Sequence, residues 1–157
     1  MTRPLELAQS RTFPATVQDA WSTVLTVPLE KIFCQRYAAI PPIKEVREQV
    51  GTWGSVGQTR RIVLADGGTM REELTAVDPE REFRYAITDL TGALKPLVAS
   101  VEGSWRFEPA GTGVRITWAW TIQPLNSWSE LAMPVLAWMW RGYARLALEE
   151  TESLLLP

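Results

Sequence analysis

From Ile43 to Gln123 apolar and polar residues alternate with a period of two, which predicts strands over 43–50, 58–66, 69–78, 82–91, 97–109 and 112–123. The last of these is the clearest. Val114, Ile116, Trp118, Trp120 and Ile122 share one face, and Arg115, Thr117, Ala119 and Thr121 share the other. In 97–109, Val101, Gly103, Trp105 and Phe107 oppose Glu102, Ser104 and Arg106, while in 82–91 Phe83, Tyr85 and Ile87 oppose Glu82, Arg84 and Thr88. One face of such a sheet is buried and the other meets water. Turn signals separate the segments: Gly51 to Gly57, Asp66-Gly67-Gly68, Asp78-Pro79, Gly92 to Pro96 and Ala110 to Gly113. Asp66-Gly67 is a strong hairpin signal. Connections this short imply an antiparallel meander.

The flanks read differently. Residues 4–13 form an interrupted first strand around Leu5, Leu7 and Phe13. Thr16 can cap a helix over 16–26, with Val17, Ala20, Trp21, Val24 and Leu25 at helical spacing. Pro28 ends it and opens a second helix, Leu29 to Arg36, which Pro41-Pro42 stops. Ser127 followed by Glu130 has the pattern of a capping box. From Pro134 to Leu155 the pattern predicts one helix of about 33 Å, nearly the length of a strand of about ten residues. It can therefore cover one face of a curved sheet. The chain reads as a single domain over 1–157, of α+β class, with about seven antiparallel strands.

Two ionisable residues break the alternation. Glu72 shares parity with Met70 and Leu74, and Asp89 with Phe83, Tyr85 and Ile87. A carboxylate among apolar side chains gains a partner or raises its pKa. For Glu72 the structural reading is a bulge or a partner such as Arg60. For Asp89 it is a strand end reaching solvent. The functional reading for both is a polar group that orients a ligand in a pocket. Glu48, on the face of Val46 and Val50, is a weaker case of the same kind.

Composition adds one unusual number and several exclusions. Eight of the 157 residues are Trp, and Trp105, Trp118, Trp120 and Trp140 converge if the long helix lies over the sheet. They form either a filled core or the wall of a cavity for a flat ligand. Trp128 to Trp140 is apolar on nearly every side, which fits a helix start buried under loops, a dimer surface, a cavity mouth or a membrane-contact rim. The formal charge is −2 and the basic residues are scattered, so no nucleic-acid partner is expected. With no His and a single Cys, Cys34, the chain lacks the groups for His-dependent catalysis, a disulfide or a structural zinc site. No metal or other cofactor is called for. The scarcity of Cys and the lack of an apolar leader fit a cytoplasmic protein. The apolar run Leu131 to Trp140 is too short to span a bilayer.

Several phrases, in order, resemble a known superfamily. They are Phe13-Pro14-Ala15 leading to Ala20-Trp21, and Gly57-Gln58-Thr59-Arg60-Arg61 before Ala65-Asp66-Gly67. Next come Arg71-Glu72-Glu73-Leu74 ahead of Asp78, then Phe83-Arg84-Tyr85. Gly103-Ser104-Trp105 and Gly113-Val114-Arg115-Ile116-Thr117-Trp118 close the series. Together with the element order, they make the chain similar to the SRPBCC superfamily of START-like, Bet v 1-like helix-grip proteins, and within it to the bacterial polyketide cyclase/dehydrase and lipid-transport group. The resemblance implies an apolar cavity under the long helix, of roughly 300–1,000 Å³ if it is a typical small-molecule site. It carries over no universal catalytic residue.

The candidate lining comprises Phe33 and Tyr37 from the helical segment, then Met70, Glu72, Phe83, Tyr85, Ile87 and Asp89 from the middle strands. Trp105, Trp118 and Trp120 from the last strands and Met133 and Trp140 from the long helix complete it. Arg60 is a further polar candidate. Three functions follow. The first is a carrier or binding protein for a hydrophobic, aromatic or polycyclic small molecule. The second is a cyclase or dehydratase acting on such a ligand, with Glu72 as general base. The third is a protein-interaction module using the Trp128–Trp140 surface, and that surface also makes a homodimer an open reading.

Overall fold

Seven antiparallel strands carry the fold in the computed structural model, which describes residues 2–156. In chain order they are β1 (Leu5–Phe13), β2 (Ile43–Arg47), β3 (Thr59–Leu64), β4 (Thr69–Asp78), β5 (Glu82–Thr88), β6 (Val98–Ala110) and β7 (Gly113–Pro124). The helices are α1 (Val17–Thr26), α2 (Leu29–Ile32), α3 (Ser127–Glu130) and α4 (Met133–Leu155). The sheet runs β1-β7-β6-β5-β4-β3-β2. Consecutive strands from β2 to β7 are neighbours, as the short turns require. β1 joins the far edge beside β7, with Leu7 opposite Trp120 and Phe13 opposite Val114. The segment holding α1 and α2 therefore crosses from one edge of the sheet to the other. One hydrophobic core forms between the inner face of the sheet and α4. This is the α+β helix-grip arrangement that the alternation and the terminal helix imply.

Local chemistry explains most of the element ends. Thr16 Oγ1 accepts from the Asp19 amide at 3.0 Å and caps α1. The β3–β4 hairpin turns through Gly67 at φ +92, and Asp66 Oδ1 accepts from the Gly68 amide at 2.9 Å. On α4 the buried side includes Leu136, Trp140, Tyr143, Ala144, Ala147, Leu148 and Thr151. Thr151 returns its hydroxyl to the Ala147 carbonyl at 2.8 Å, so a polar residue sits satisfied in the core.

Four expectations change. The second helix stops at Ile32 rather than Arg36, because the Phe33 carbonyl accepts from the Ile43 amide at 2.8 Å and the chain turns back to the sheet. β2 ends before Glu48 and β5 before Asp89, and both residues take left-handed backbone at φ +61 and +54. The capping-box reading is replaced. Asn126 caps α3 through Oδ1, accepting from the Ser129 amide at 2.9 Å, and α4 starts separately at Met133. The Trp128–Trp140 stretch is buried on one side only: Met133, Leu136, Ala137 and Trp140 are buried, whereas Trp128 and Leu131 are 81% and 74% exposed and Val135 and Trp138 are exposed beside them. Among the described residues no helix is long and apolar enough to cross a membrane.

Candidate functional site

Between the sheet and the first half of α4 lies an apolar cavity of about 140 Å³. Its floor comes from alternate residues of neighbouring strands: Ile62 and Leu64, Met70 and Glu72, Phe83, Tyr85 and Ile87, Val101 and Trp105, Trp118 and Trp120. Val24, Leu29, Ile32 and Phe33 close one side, and Leu136, Met139, Trp140 and Tyr143 form the roof. Ala39 and Ala93 line the cavity yet are exposed, so it reaches solvent between the loop before β2 and the turn before β6.

The cavity is smaller than the expected range because indoles occupy much of the space. Trp118 stacks on Trp140 at 4.7 Å between ring centroids and on Trp105 at 5.5 Å. Phe33 packs against Trp118 at 5.0 Å and stacks on Tyr143 at 5.7 Å. These Trp residues fill much of the core and also wall the cavity.

The polar end is built on two strands. Arg60 on β3 stands directly opposite Glu72 on β4. Arg60 Nε donates to Glu72 Oε1 at 2.8 Å, with Arg60 6% and Glu72 3% exposed. The guanidinium also donates from Nη1 to Gln49 Oε1 at 3.3 Å and lies 3.8 Å above the Trp53 ring. Burial pushes the Glu72 carboxyl up, and the charge and hydrogen bond of Arg60 pull it only part of the way back.

Trp53 is held by a loop tied to one side chain. Gln58 Oε1 accepts from the Gly54 and Ser55 amides at 2.7 and 2.6 Å, and its Nε2 donates to the Val50 and Thr52 carbonyls at 3.1 and 2.9 Å. Sequence reasoning missed Trp53, since a Gly-rich connection carries no periodicity, and Gln49, which it placed in the strand over 43–50 although the strand ends at Arg47. It read Gln58 only as part of a family phrase.

Tyr85 occupies the middle of the floor. Trp118 Nε1 and Trp120 Nε1 both donate to its hydroxyl, at 2.6 and 2.8 Å. Burial first, and the nearby Glu72 charge second, push the phenol well above its ordinary pKa, so it stays protonated.

Of the sequence candidates, Phe33, Met70, Glu72, Phe83, Tyr85 and Ile87 line this cavity, as do Trp105, Trp118, Trp120 and Trp140. Three others lie outside the lining. Met133 is buried in the core. The Tyr37 ring lies 5.5 Å from that of Trp138 and covers Gly142, where a Cβ would stand 2.1 Å from it. Asp89 breaks the parity rule because its left-handed backbone turns it out of the strand. There it meets Arg61 Nη2 at 3.3 Å, while Glu48, displaced in the same way, meets Arg61 Nε at 2.9 Å. Two carboxylates that parity placed inward thus share one cation on the outside.

The curved sheet, the long helix laid across it and the enclosed apolar space define a helix-grip protein, a fold known for hydrophobic ligand binding. The chain belongs to the family described as polyketide cyclase/dehydrase and lipid transport, which it matches over residues 4–155. Solved structures agree on the fold. The major latex-like protein 151 of Panax ginseng is 17% identical with a TM-score of 0.67, over 98% of this chain and 99% of that one. Ara h 8.0201 is 16% identical with a TM-score of 0.67 and the same coverage. Protein MLL2253 from Mesorhizobium loti is 17% identical with a TM-score of 0.68, over 96% of each chain. No curated protein sequence matches the chain.

Proposed function

We propose that the protein binds a hydrophobic, aromatic small molecule in the cavity between sheet and α4 and acts as its carrier. The observation that carries this reading is a preformed apolar space of about 140 Å³, reaching solvent at Ala39 and Ala93, in a chain with residues enough to fill it. Cavities of about 150 Å³ lined by apolar side chains stay dry and take up benzene. The space as it stands therefore fits one ring, and a polycyclic ligand requires the segments around Ala39 and Ala93 to part.

Calorimetric titration with toluene and with naphthalene tests the reading. Toluene binds the wild type, and Met70→Trp, which fills the floor, folds but does not bind it. Absence of toluene binding to the wild type, or equal binding to Met70→Trp, overturns the proposal.

One observation favours a second reading, a cyclase or dehydratase. Glu72 lines the cavity and its carboxyl sits above the ordinary range, which suits a general base. Mass spectrometry of a co-purified ligand decides between the two. Conversion by the wild type and none by Glu72→Gln favours an enzyme; unchanged ligand in both favours a carrier.

A further inference from the structure

Two hydrogen-bond donors in the cavity wall lack acceptors among the described residues, which deepens the binding reading on which this inference rests. A phenol oxygen accepts and donates. The Tyr85 oxygen already accepts from Trp118 and Trp120, and its O–H finds no acceptor among the described residues. The third indole of the group, Trp140, stacks on Trp118 and lies 6.1 Å from Trp120 between ring centroids. Its Nε1–H is buried and has no partner among the described residues, in a residue only 1% exposed. Buried donors are normally satisfied, and an unmet one costs free energy that a ligand can return. Both residues line the same cavity. Charge is already balanced there, because Arg60 and Glu72 neutralise each other. The deficit is therefore one of neutral acceptors.

We propose that the cavity selects a small ring compound bearing a neutral oxygen acceptor, such as an aryl ketone or aldehyde, and that Tyr85 and Trp140 read this oxygen. The sheet is shaped for that arrangement. Tyr85 on β5 pairs with Gly103 on β6, which pairs with Trp120 on β7. A Cβ at Gly103 would stand 2.5 Å from the Tyr85 hydroxyl, so the glycine leaves the room in which Trp118 and Trp120 hold that hydroxyl.

Acetophenone and its methylene isostere α-methylstyrene separate this proposal from the reading beneath it. Calorimetry is run on the wild type, Tyr85→Phe and Trp140→Phe, with circular dichroism as the check on folding. Each variant weakens acetophenone about tenfold, the effect of one hydrogen bond left unmade, and leaves α-methylstyrene within roughly twofold. Equal changes for both ligands, or none, overturn acceptor recognition while leaving the binding reading intact. If the wild type binds neither ligand, the binding reading itself fails. Tyr85→Phe strands two indole N–H groups and can unfold the protein, whereas Trp140→Phe removes an N–H that has no partner. The infrared carbonyl stretch of acetophenone bound to the wild type supplies a variant-free check. It lies below its position in hydrocarbon solvent if the donors engage, and a hydrocarbon-like position overturns the proposal.

Discussion

The Tyr85 ring occupies the space that a side chain at Gly103 would fill: a Cβ there would stand 2.1 Å from Tyr85 Cζ. The glycine sits among Val101, Trp105 and Phe107 on the inner face, where an apolar side chain belongs by pattern. Gly103→Ala drives the phenol off its site and breaks its bonds to Trp118 and Trp120. Overpacking of this kind costs about 1–3 kcal/mol. The clash is specific to one partner, so Gly103→Ala/Tyr85→Ala is more stable than additivity gives. Urea denaturation of the four proteins measures the coupling; strict additivity would show that the ring and the glycine are independent.

The buried ion pair behaves differently when one partner is lost than when both are. Glu72→Leu leaves the Arg60 guanidinium buried beside Trp53, with Gln49 as its remaining acceptor among the described residues. Stranding a buried charge costs about 3–5 kcal/mol, whereas replacing both partners with apolar residues is often neutral. Arg60→Met/Glu72→Leu is therefore more stable than Glu72→Leu alone. The same urea midpoints decide it, and a double variant no more stable than the single one rejects the pairing argument.

Much of this site is legible in the chain, and the illegible part has physical causes. Period-two alternation places Phe83, Tyr85, Ile87, Trp105, Trp118 and Trp120 on one face, since a paired strand has no freedom to rotate a residue out of register. Parity also flags Glu72, and Arg60 is nameable as its partner. The rule fails at Asp89 and Glu48 because each follows the last residue of a strand and takes a positive φ, which local hydrophobicity does not encode. Gly103 reads as one more inner position, although its missing side chain is what admits the Tyr85 ring. The cavity volume depends on how three indoles stack, and that is decided by packing between β6, β7 and α4 rather than by any one segment.

Glu72 also makes stability depend on pH with a definite sign. Its carboxyl in the folded protein lies above the ordinary value, chiefly through burial. The stability linked to its protonation is complete below the unfolded value of about 4.3 and is lost as pH rises through the raised one. Other carboxylates titrate in the same range, so the measurement is a difference. Unfolding free energy of the wild type minus that of Arg60→Met/Glu72→Leu declines as pH rises from about 4.3 and then levels off. A difference that rises over this window would mean that Arg60 outweighs burial.

Gln58 ties the loop that supports Arg60 from below. Its amide oxygen accepts from the Gly54 and Ser55 amides and its nitrogen donates to the Val50 and Thr52 carbonyls, so one side chain holds both sides of the connection between β2 and β3. Each such bond contributes about 0.5–1.5 kcal/mol net, and less where water competes. Gln58→Ala removes all four, loosening Trp53 and with it the ring beneath the guanidinium. Gln58→Glu keeps the two acceptor contacts and loses the two donations. Hydrogen exchange at the Gly54 and Ser55 amides therefore ranks the proteins: protection is highest in the wild type, intermediate in Gln58→Glu and lowest in Gln58→Ala. Indole fluorescence shifts in the same order as Trp53 gains contact with water. Equal exchange at both amides in all three proteins would mean that the loop is held by Trp53 packing instead, and Trp53→Ala would then produce the loss of protection assigned here to Gln58.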